Sequence, residues 1–288
     1  MTILVTGATG FVGRNVVHGL AAAGADVRAV TRNPAAAHLP EGVDVIRGDL
    51  NDPATLAPAL DGVDRLYLFP SPQTAREIVR LAVRAGVQRV VVLSSGAVTT
   101  GYDTEFHLPV ERAVEESGLD WTFVRPGEFA TNKLHLWAPS IRAESAVYDP
   151  FPNAVGVPTH ERDVADVALI ALLEDGHAGR AYTLVGPGPL THQEQADQIG
   201  AAIGREVSFA GATVQQCLDY YTRLGGWAAA NARFLLGLED YSHNPSTPET
   251  QKRWAKSEVP PLPTAESVTG RPARTFAEWA RDHADDFR

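Results

Sequence analysis

Three glycines stand three residues apart near the N-terminus, in Gly7-Ala8-Thr9-Gly10-Phe11-Val12-Gly13. They follow an apolar run, Ile3-Leu4-Val5, and open a stretch with Val12, Val16, Val17 and Leu20 at helical spacing. That context gives each glycine a task. Gly7 permits a tight turn out of a strand, Gly10 lets the backbone approach a pyrophosphate, and Gly13 lets a helix pack closely on a sheet. The helix N-terminus then offers unpaired N–H groups and the positive end of its dipole to phosphates. A glycine-rich turn without a ligand is the plainer alternative. The next apolar run, Val27 to Val30, ends without a carboxylate; Arg32 stands there instead, and Arg14 lies just past the third glycine. A guanidinium at that place suits a 2′-phosphate, so the pattern predicts NADP(H). The other reading of Arg32 is a solvated surface arginine.

Proton chemistry has fewer candidates. His107 and Glu111 are spaced i, i+4 and share one helix face. His107 can donate a proton or bond a ribose or substrate; the plainer reading is a partly exposed histidine paired with Glu111. Ser94 and Ser95 close the fifth apolar run, where their hydroxyls either meet a ligand or serve the turn. Tyr102, in the following loop, is another candidate donor. A zinc site would need a third ligand beside His107 and Glu111, and none is evident nearby, so no metal is expected.

The elements that must position these residues alternate. Strands are expected at Ile3–Val5, Val27–Val30, Val43–Ile46, Arg65–Phe69, Arg89–Leu93 and Trp121–Val124. Helices are expected at about 11–23, 53–60, 73–85 and 105–117, with Asp52-Pro53 as an N-cap and first helical residue. Buried strands without polar alternation belong to a parallel sheet covered on both faces. The fold class is therefore α/β, a Rossmann-type doubly wound parallel sheet. Past Pro126 the rhythm changes. Residues 127–158 read as loops rich in Pro, Asn and aromatics. Glu161–Leu173 reads as a helix and Ala181–Val185 as a strand. Thr191 to Glu194 and Thr275 to Glu278 are capping boxes. Residues 213–238 look helical with a break at Gly225-Gly226, and 242–264 looks like proline-rich loop. The expected division is 1–126 plus about 155–185 for the nucleotide-binding domain. About 127–154 and 186–288 would form a smaller, discontinuous C-terminal α/β cap.

The run Thr6 to Gly13 is spaced G-x-x-G-x-x-G and resembles the extended and atypical short-chain dehydrogenase/reductase superfamily. By that resemblance, Gly7, Thr9, Gly10, Phe11, Val12 and Gly13 cradle the cofactor. Asp49 bonds the adenine amino group with help from the Leu50 backbone, unless it is only a turn aspartate. The loop Phe69-Pro70-Ser71 covers the pyrophosphate and nicotinamide ribose; the place of Ser94 at the sheet's carboxyl edge, rather than the resemblance, would let its hydroxyl touch that ribose or the substrate. The superfamily's usual Tyr-x-x-x-Lys pair is absent: the residues four before Lys133, Lys252 and Lys256 are Phe129, Pro248 and Lys252. His107 and Glu111 stand in its place. Together with Phe123 to Phe129, Asp163 to Ala168, Tyr182 to Pro187 and Thr269 to Pro272, this is similar to the NmrA-like group. That group includes NADPH-dependent quinone, azo-dye and triphenylmethane-dye reductases, and NADP(H)-binding regulators without turnover. The resemblance implies that Pro126, Gly127 and Phe129 face the nicotinamide and that residues 127–158 wall a substrate pocket. Trp137, Phe151, Tyr220, Tyr221 and Trp227 would stack on a flat substrate or else belong to the core.

Composition narrows the classes. The 288 residues carry a net charge of −10 and a single cysteine, Cys217. An intrachain disulfide is excluded, and a reducing, cytoplasmic setting is expected. No run approaches 18 apolar residues, so no membrane span is expected, and the N-terminus lacks the features of a secretory signal. The negative balance argues against nucleic-acid partners. A homodimer is the common default. The leading reading is an NADPH-dependent oxidoreductase passing hydride to a quinone-like or other conjugated aromatic or carbonyl acceptor. The alternatives are a non-catalytic NADP(H) sensor, or an isomerase holding its cofactor tightly.

Overall fold

The computed structural model describes residues 1–240, 243–247 and 263–288. The chain divides into two compact units. The first holds Met1–Pro126, Glu161–Leu184 and Ala265–Arg271, and the second holds Gly127–His160, Val185–Thr264 and Pro272–Arg288. Residues 155–160 therefore group with the second unit.

In chain order the first unit begins with β1 (Thr2–Val5), α1 (Phe11–Ala22), β2 (Asp26–Thr31) and β3 (Asp44–Arg47). It continues with α2 (Ala57–Leu60), β4 (Arg65–Leu68), α3 (Ala75–Ala85), β5 (Arg89–Leu93), α4 (Gly96–Thr99), α5 (His107–Glu115) and β6 (Asp120–Pro126). The second unit contributes α6 (Asn132–Leu136), α7 (Ala138–Glu144), β7 (Ala146–Tyr148) and β8 (Val155–Gly156). The chain then returns to the first unit for α8 (Glu161–Leu173) and β9 (Arg180–Leu184). The second resumes with β10 (Leu190–Thr191), α9 (His192–Ile203), β11 (Ser208–Ala210), α10 (Val214–Leu224) and α11 (Gly226–Leu235).

Seven strands form one sheet in the order β3-β2-β1-β4-β5-β6-β9. Every pairing is parallel. The order reverses between β1 and β4, and in doubly wound sheets that switch point opens a crevice at the carboxyl ends of the strands. β5 is buried at every residue, as a central strand covered on both faces must be. One face packs Leu4, Val30, Leu66, Leu68, Val90, Val92 and Phe123 against Ile78, Val79 and Val114. On the helices α1 and α8, a Cβ at Gly19 would lie 2.2 Å from Leu169 Cδ1, so that glycine sets how closely the two helices approach.

Two local expectations change. Asp52 precedes a 3-10 turn, Pro53–Leu56, but its side chain makes no capping bond. Residues 127–158 are not mainly loop, since they fold into α6, α7 and β7. Pro139 sits in the first turn of α7, where its missing N–H costs nothing. Trp137 and Ile141, each fully buried, anchor that segment in the second unit's core. Both expected capping boxes form, and a third, Thr213 with Gln216, opens α10. The proline-rich stretch 242–264 lies mostly outside the described residues.

Trp137 and Tyr221 are core residues. Tyr221 donates from its hydroxyl to the Tyr148 carbonyl at 2.9 Å. Cys217 is fully buried beside them, and burial, with Asp149 nearby, pushes its thiol up to about 11. A disulfide-exchange reagent at neutral pH is therefore expected to titrate no thiol in the native protein and one after unfolding. Among the described residues no helix is long and apolar enough to cross a membrane. No group of three His, Cys, Asp or Glu there is placed to hold a metal.

Candidate nucleotide and catalytic site

The first unit gathers the glycine loop at the crevice. Gly7 leaves β1 with φ +61°, a conformation that costs most side chains strain. A Cβ on Gly7 would lie 2.9 Å from Phe69 Cβ, so the ends of β1 and β4 touch there. Gly10 donates its N–H to the Gly7 carbonyl at 3.0 Å and caps α1 without a side-chain bond. A Cβ on Gly13 would lie 2.2 Å from the Gly7 carbonyl oxygen. Side chains at 7 and 13 would thus fill the cradle or push the helix away from the sheet. The first N–H groups of α1, those of Phe11 and Val12, stand at the positive end of the helix dipole. Val12 is buried, while Phe11 and Phe69 are exposed beside the loop. Thr9 turns its carbonyl toward Arg14, which donates to it at 3.4 Å. Phosphate oxygens fit this loop sterically and electrostatically.

Arg32 follows β2, is exposed, and donates no hydrogen bond to another described residue. Arg47, exposed at the end of β3, lies one strand over, in register with Thr31. The sequence reading passed over Arg47; its place at a strand end beside Arg32 was the available signal. Asp49 is half-buried, and one carboxylate oxygen accepts the Asn51 N–H at 2.9 Å, a turn role that leaves the other oxygen uncommitted to it. The Leu50 carbonyl is taken by Thr74 Oγ1 at 2.7 Å. Ser71 Oγ lies 2.7 Å from that same Thr74 hydroxyl, so the Phe69-Pro70-Ser71 loop is tied to the loop after β3.

At the end of β5 the structure departs from the simplest reading. Glu111, 1% exposed, does not pair with His107. One of its oxygens accepts from Ser94 Oγ at 2.5 Å and from Arg125 Nε at 2.8 Å, and the other from Arg125 Nη2 at 2.5 Å. Arg125, on β6, also reaches Thr99 Oγ1 at 3.3 Å. Ser94 is buried, and its proton is committed to Glu111. Ser95 caps α4, accepting the Ala97 N–H at 3.2 Å. Both serines are therefore occupied by structure first. Tyr102 is exposed in the turn after α4.

His107 instead pairs with Asp103, a residue the sequence reading missed. His107 Nδ1 lies 2.5 Å from Asp103 Oδ2, while Asp103 Oδ1 accepts the N–H groups of Phe106 and His107 at 2.9 and 3.0 Å. Asp103 thus caps α5 and orients the ring. Burial pushes its carboxyl up, but the His107 ring and the two N–H groups outweigh that and hold it below its ordinary value. With Nδ1 engaged by the carboxylate, Nε2 is the nitrogen left for a ligand. His107 stands one turn before Glu111 at the N-terminal end of α5. Because α5 follows β5 through α4, that end lies at the carboxyl edge of the sheet. The spacing S/T/D-x-x at a helix start was the signal for Asp103.

Pro126 ends β6, and Gly127 and Phe129 open the second unit. The Phe129 backbone bridges in parallel to Thr159. Nearby in that unit, Glu128 is held below its ordinary value despite burial, chiefly by Lys133 and His192. Lys133 Nζ lies 2.8 Å from Glu128 and 4.4 Å from the centre of the Trp137 ring. Asp149, likewise depressed against burial, faces His192 at 3.0 Å. Depressed carboxyls stabilise the fold above their unfolded pKa and lose that stabilisation as pH falls. The thermal unfolding temperature is thus expected to drop between about pH 5 and pH 3.

A family model described as NAD(P)H-binding matches residues 7–176. The chain is 38% identical to a (4-alkanoyl-5-oxo-2,5-dihydrofuran-3-yl)methyl phosphate reductase of Streptomyces griseus, covering 99% of both chains. It is 34% identical to an NAD(P)H azoreductase of Xenophilus azovorans, again over 99% of each. The triphenylmethane reductase of Citrobacter sp., crystallised with NADP(H), shares the fold at a TM-score of 0.77 and 22% identity, over 99% of this chain and 100% of that one. The glycine cradle, the switch-point crevice and the full-length relatives agree. The chain belongs to the NAD(P)H-binding family, as an NAD(P)H-dependent reductase.

Proposed function

We propose that the protein is an NADPH-dependent reductase of a quinone-like or other conjugated aromatic or carbonyl acceptor. The observation that carries the chemistry is the Asp103–His107 pair at the start of α5. The relatives, named for an acylfuranone phosphate and for azo compounds, support a conjugated acceptor. Bound in the glycine loop, the dihydronicotinamide supplies the hydride. Phe11 and Val12 N–H groups hold the pyrophosphate, and Arg32, with Arg47 beside it, holds the 2′-phosphate. His107, protonated and steadied by the Asp103 carboxylate, gives its Nε2 proton to the acceptor atom that gains electron density. Hydride and proton together make the two-electron reduced product. Asp49 and the Phe69-Pro70-Ser71 loop keep the adenine and ribose in place.

Arg32→Ala tests the cofactor half. NADPH affinity is expected to fall at least about tenfold, near 1.4 kcal/mol, with NADH affinity unchanged. Titration by nucleotide fluorescence reads both. A loss shared equally by the two nucleotides, or no loss, would remove Arg32 from the phosphate site. The sensor alternative is tested in the same preparation by following NADPH oxidation with a soluble quinone.

A further inference from the structure

The first unit has four exposed aromatic rings, and all four stand at the carboxyl edge of its sheet. Phe11 opens α1 behind β1, Phe69 follows β4, and Tyr102 and Phe106 lie between β5 and α5. β1, β4 and β5 are neighbours in the sheet. The other aromatic side chains of the unit are buried or half-buried. A single exposed apolar side chain is ordinary, but a row of rings confined to the edge where doubly wound sheets bind ligands marks a ligand surface. Phe69 packs against Gly7 of the nucleotide loop. Phe106 lies instead against the proton donor.

Asp103 fixes that arrangement. It is buried, and it accepts the Phe106 N–H through Oδ1 while holding the His107 ring through Oδ2. One carboxylate therefore sets the proton donor and the exposed ring side by side. The two ring centres lie 4.8 Å apart with their planes at 66°, an edge-to-face contact. That contact engages only part of the phenyl ring, which stays 44% exposed. A flat molecule whose acceptor atom meets His107 Nε2 at about 3 Å is wide enough, at two fused rings, to lie against Phe106 as well. We propose that Phe106 is the platform on which the acceptor stacks, and that it selects aromatic acceptors over aliphatic conjugated carbonyls. This rests on the acceptor site being beside His107. Stacking and edge-to-face contact need a π system on the ligand, so an aliphatic enone gains little from the ring.

The test is calorimetric titration of the full chain, saturated with NADP⁺ so that no hydride is available, with 2-methyl-1,4-naphthoquinone and with 2-cyclohexen-1-one. Saturable binding of the quinone is expected, at least about tenfold tighter than that of the enone. Phe106→Ala is expected to weaken the quinone about tenfold and the enone less than about twofold. Phe106→Trp, which keeps an aromatic face, is expected to bind the quinone within about twofold of wild type. Phe106 is exposed, so both variants keep the fold, and melting curves check them. No saturable binding of the quinone, equal affinity for the two probes, an equal loss on both in Phe106→Ala, or a Phe106→Ala variant that binds the quinone like wild type would each overturn the proposal. Turnover is read separately, with NADPH in place of NADP⁺. A quinone that binds as expected without being reduced would overturn the reductase reading and support the platform.

Discussion

Glu111→Ala is expected to destabilise the protein by about 3 kcal/mol, read as a fall in melting temperature of roughly 6–12 °C. The carboxylate is 1% exposed and serves three donors, one from Ser94 and two from Arg125. Removing it leaves a guanidinium that is 19% exposed without its carboxylate partner. That uncompensated charge, more than the lost bonds, sets the size of the effect. The double variant Glu111→Ala with Arg125→Ala is therefore expected to cost less than the sum of the singles, because the orphaned charge is gone. Strict additivity would show that the two side chains do not act as a pair. Ser94→Ala, which removes only one neutral donor, is expected to cost about 1 kcal/mol.

The fold was legible from the sequence because its signals are local and redundant. β1, β5 and β6 read as apolar runs, and the glycine loop announced both a turn and a helix start. The spacing could also show that the tyrosine–lysine pair is missing. It could not show what the substitutes do. Two partners at i, i+4 share a helix face, so His107 and Glu111 looked like a couple. The neighbours that separated them come from elsewhere: Arg125 lies 14 residues on, in the adjacent strand, and Asp103 sits in the preceding turn. A carboxylate on a helix face pairs with whichever cation the sheet brings nearest, and strand adjacency is not written in helical periodicity. The segment after Pro126 was misread for a related reason. Its prolines and aromatics suggested loop, yet Pro139 starts a helix and Trp137 fills a core. Short strands such as β7 and β8, of three and two residues, carry no period to detect.

The second large effect is kinetic. His107→Gln is expected to lower kcat about 100-fold on acceptors whose reduced product is a basic anion, with NADPH affinity within about twofold of wild type. The reasoning rests on geometry. Asp103 fixes the ring through Nδ1, so only Nε2 can deliver a proton, and glutamine keeps a hydrogen bond there without a proton to give. On a quinone, whose reduced form is weakly basic, water suffices and the loss shrinks to a few-fold. The dependence on acceptor basicity is thus the signature of proton donation, distinct from a general disturbance of the site. Asp103→Asn should lie between wild type and His107→Gln, near a tenfold loss, because it weakens the orientation of a ring that can still carry a proton. Equal losses on both classes of acceptor would mean that the proton arrives by another route and that the pair serves only to start α5.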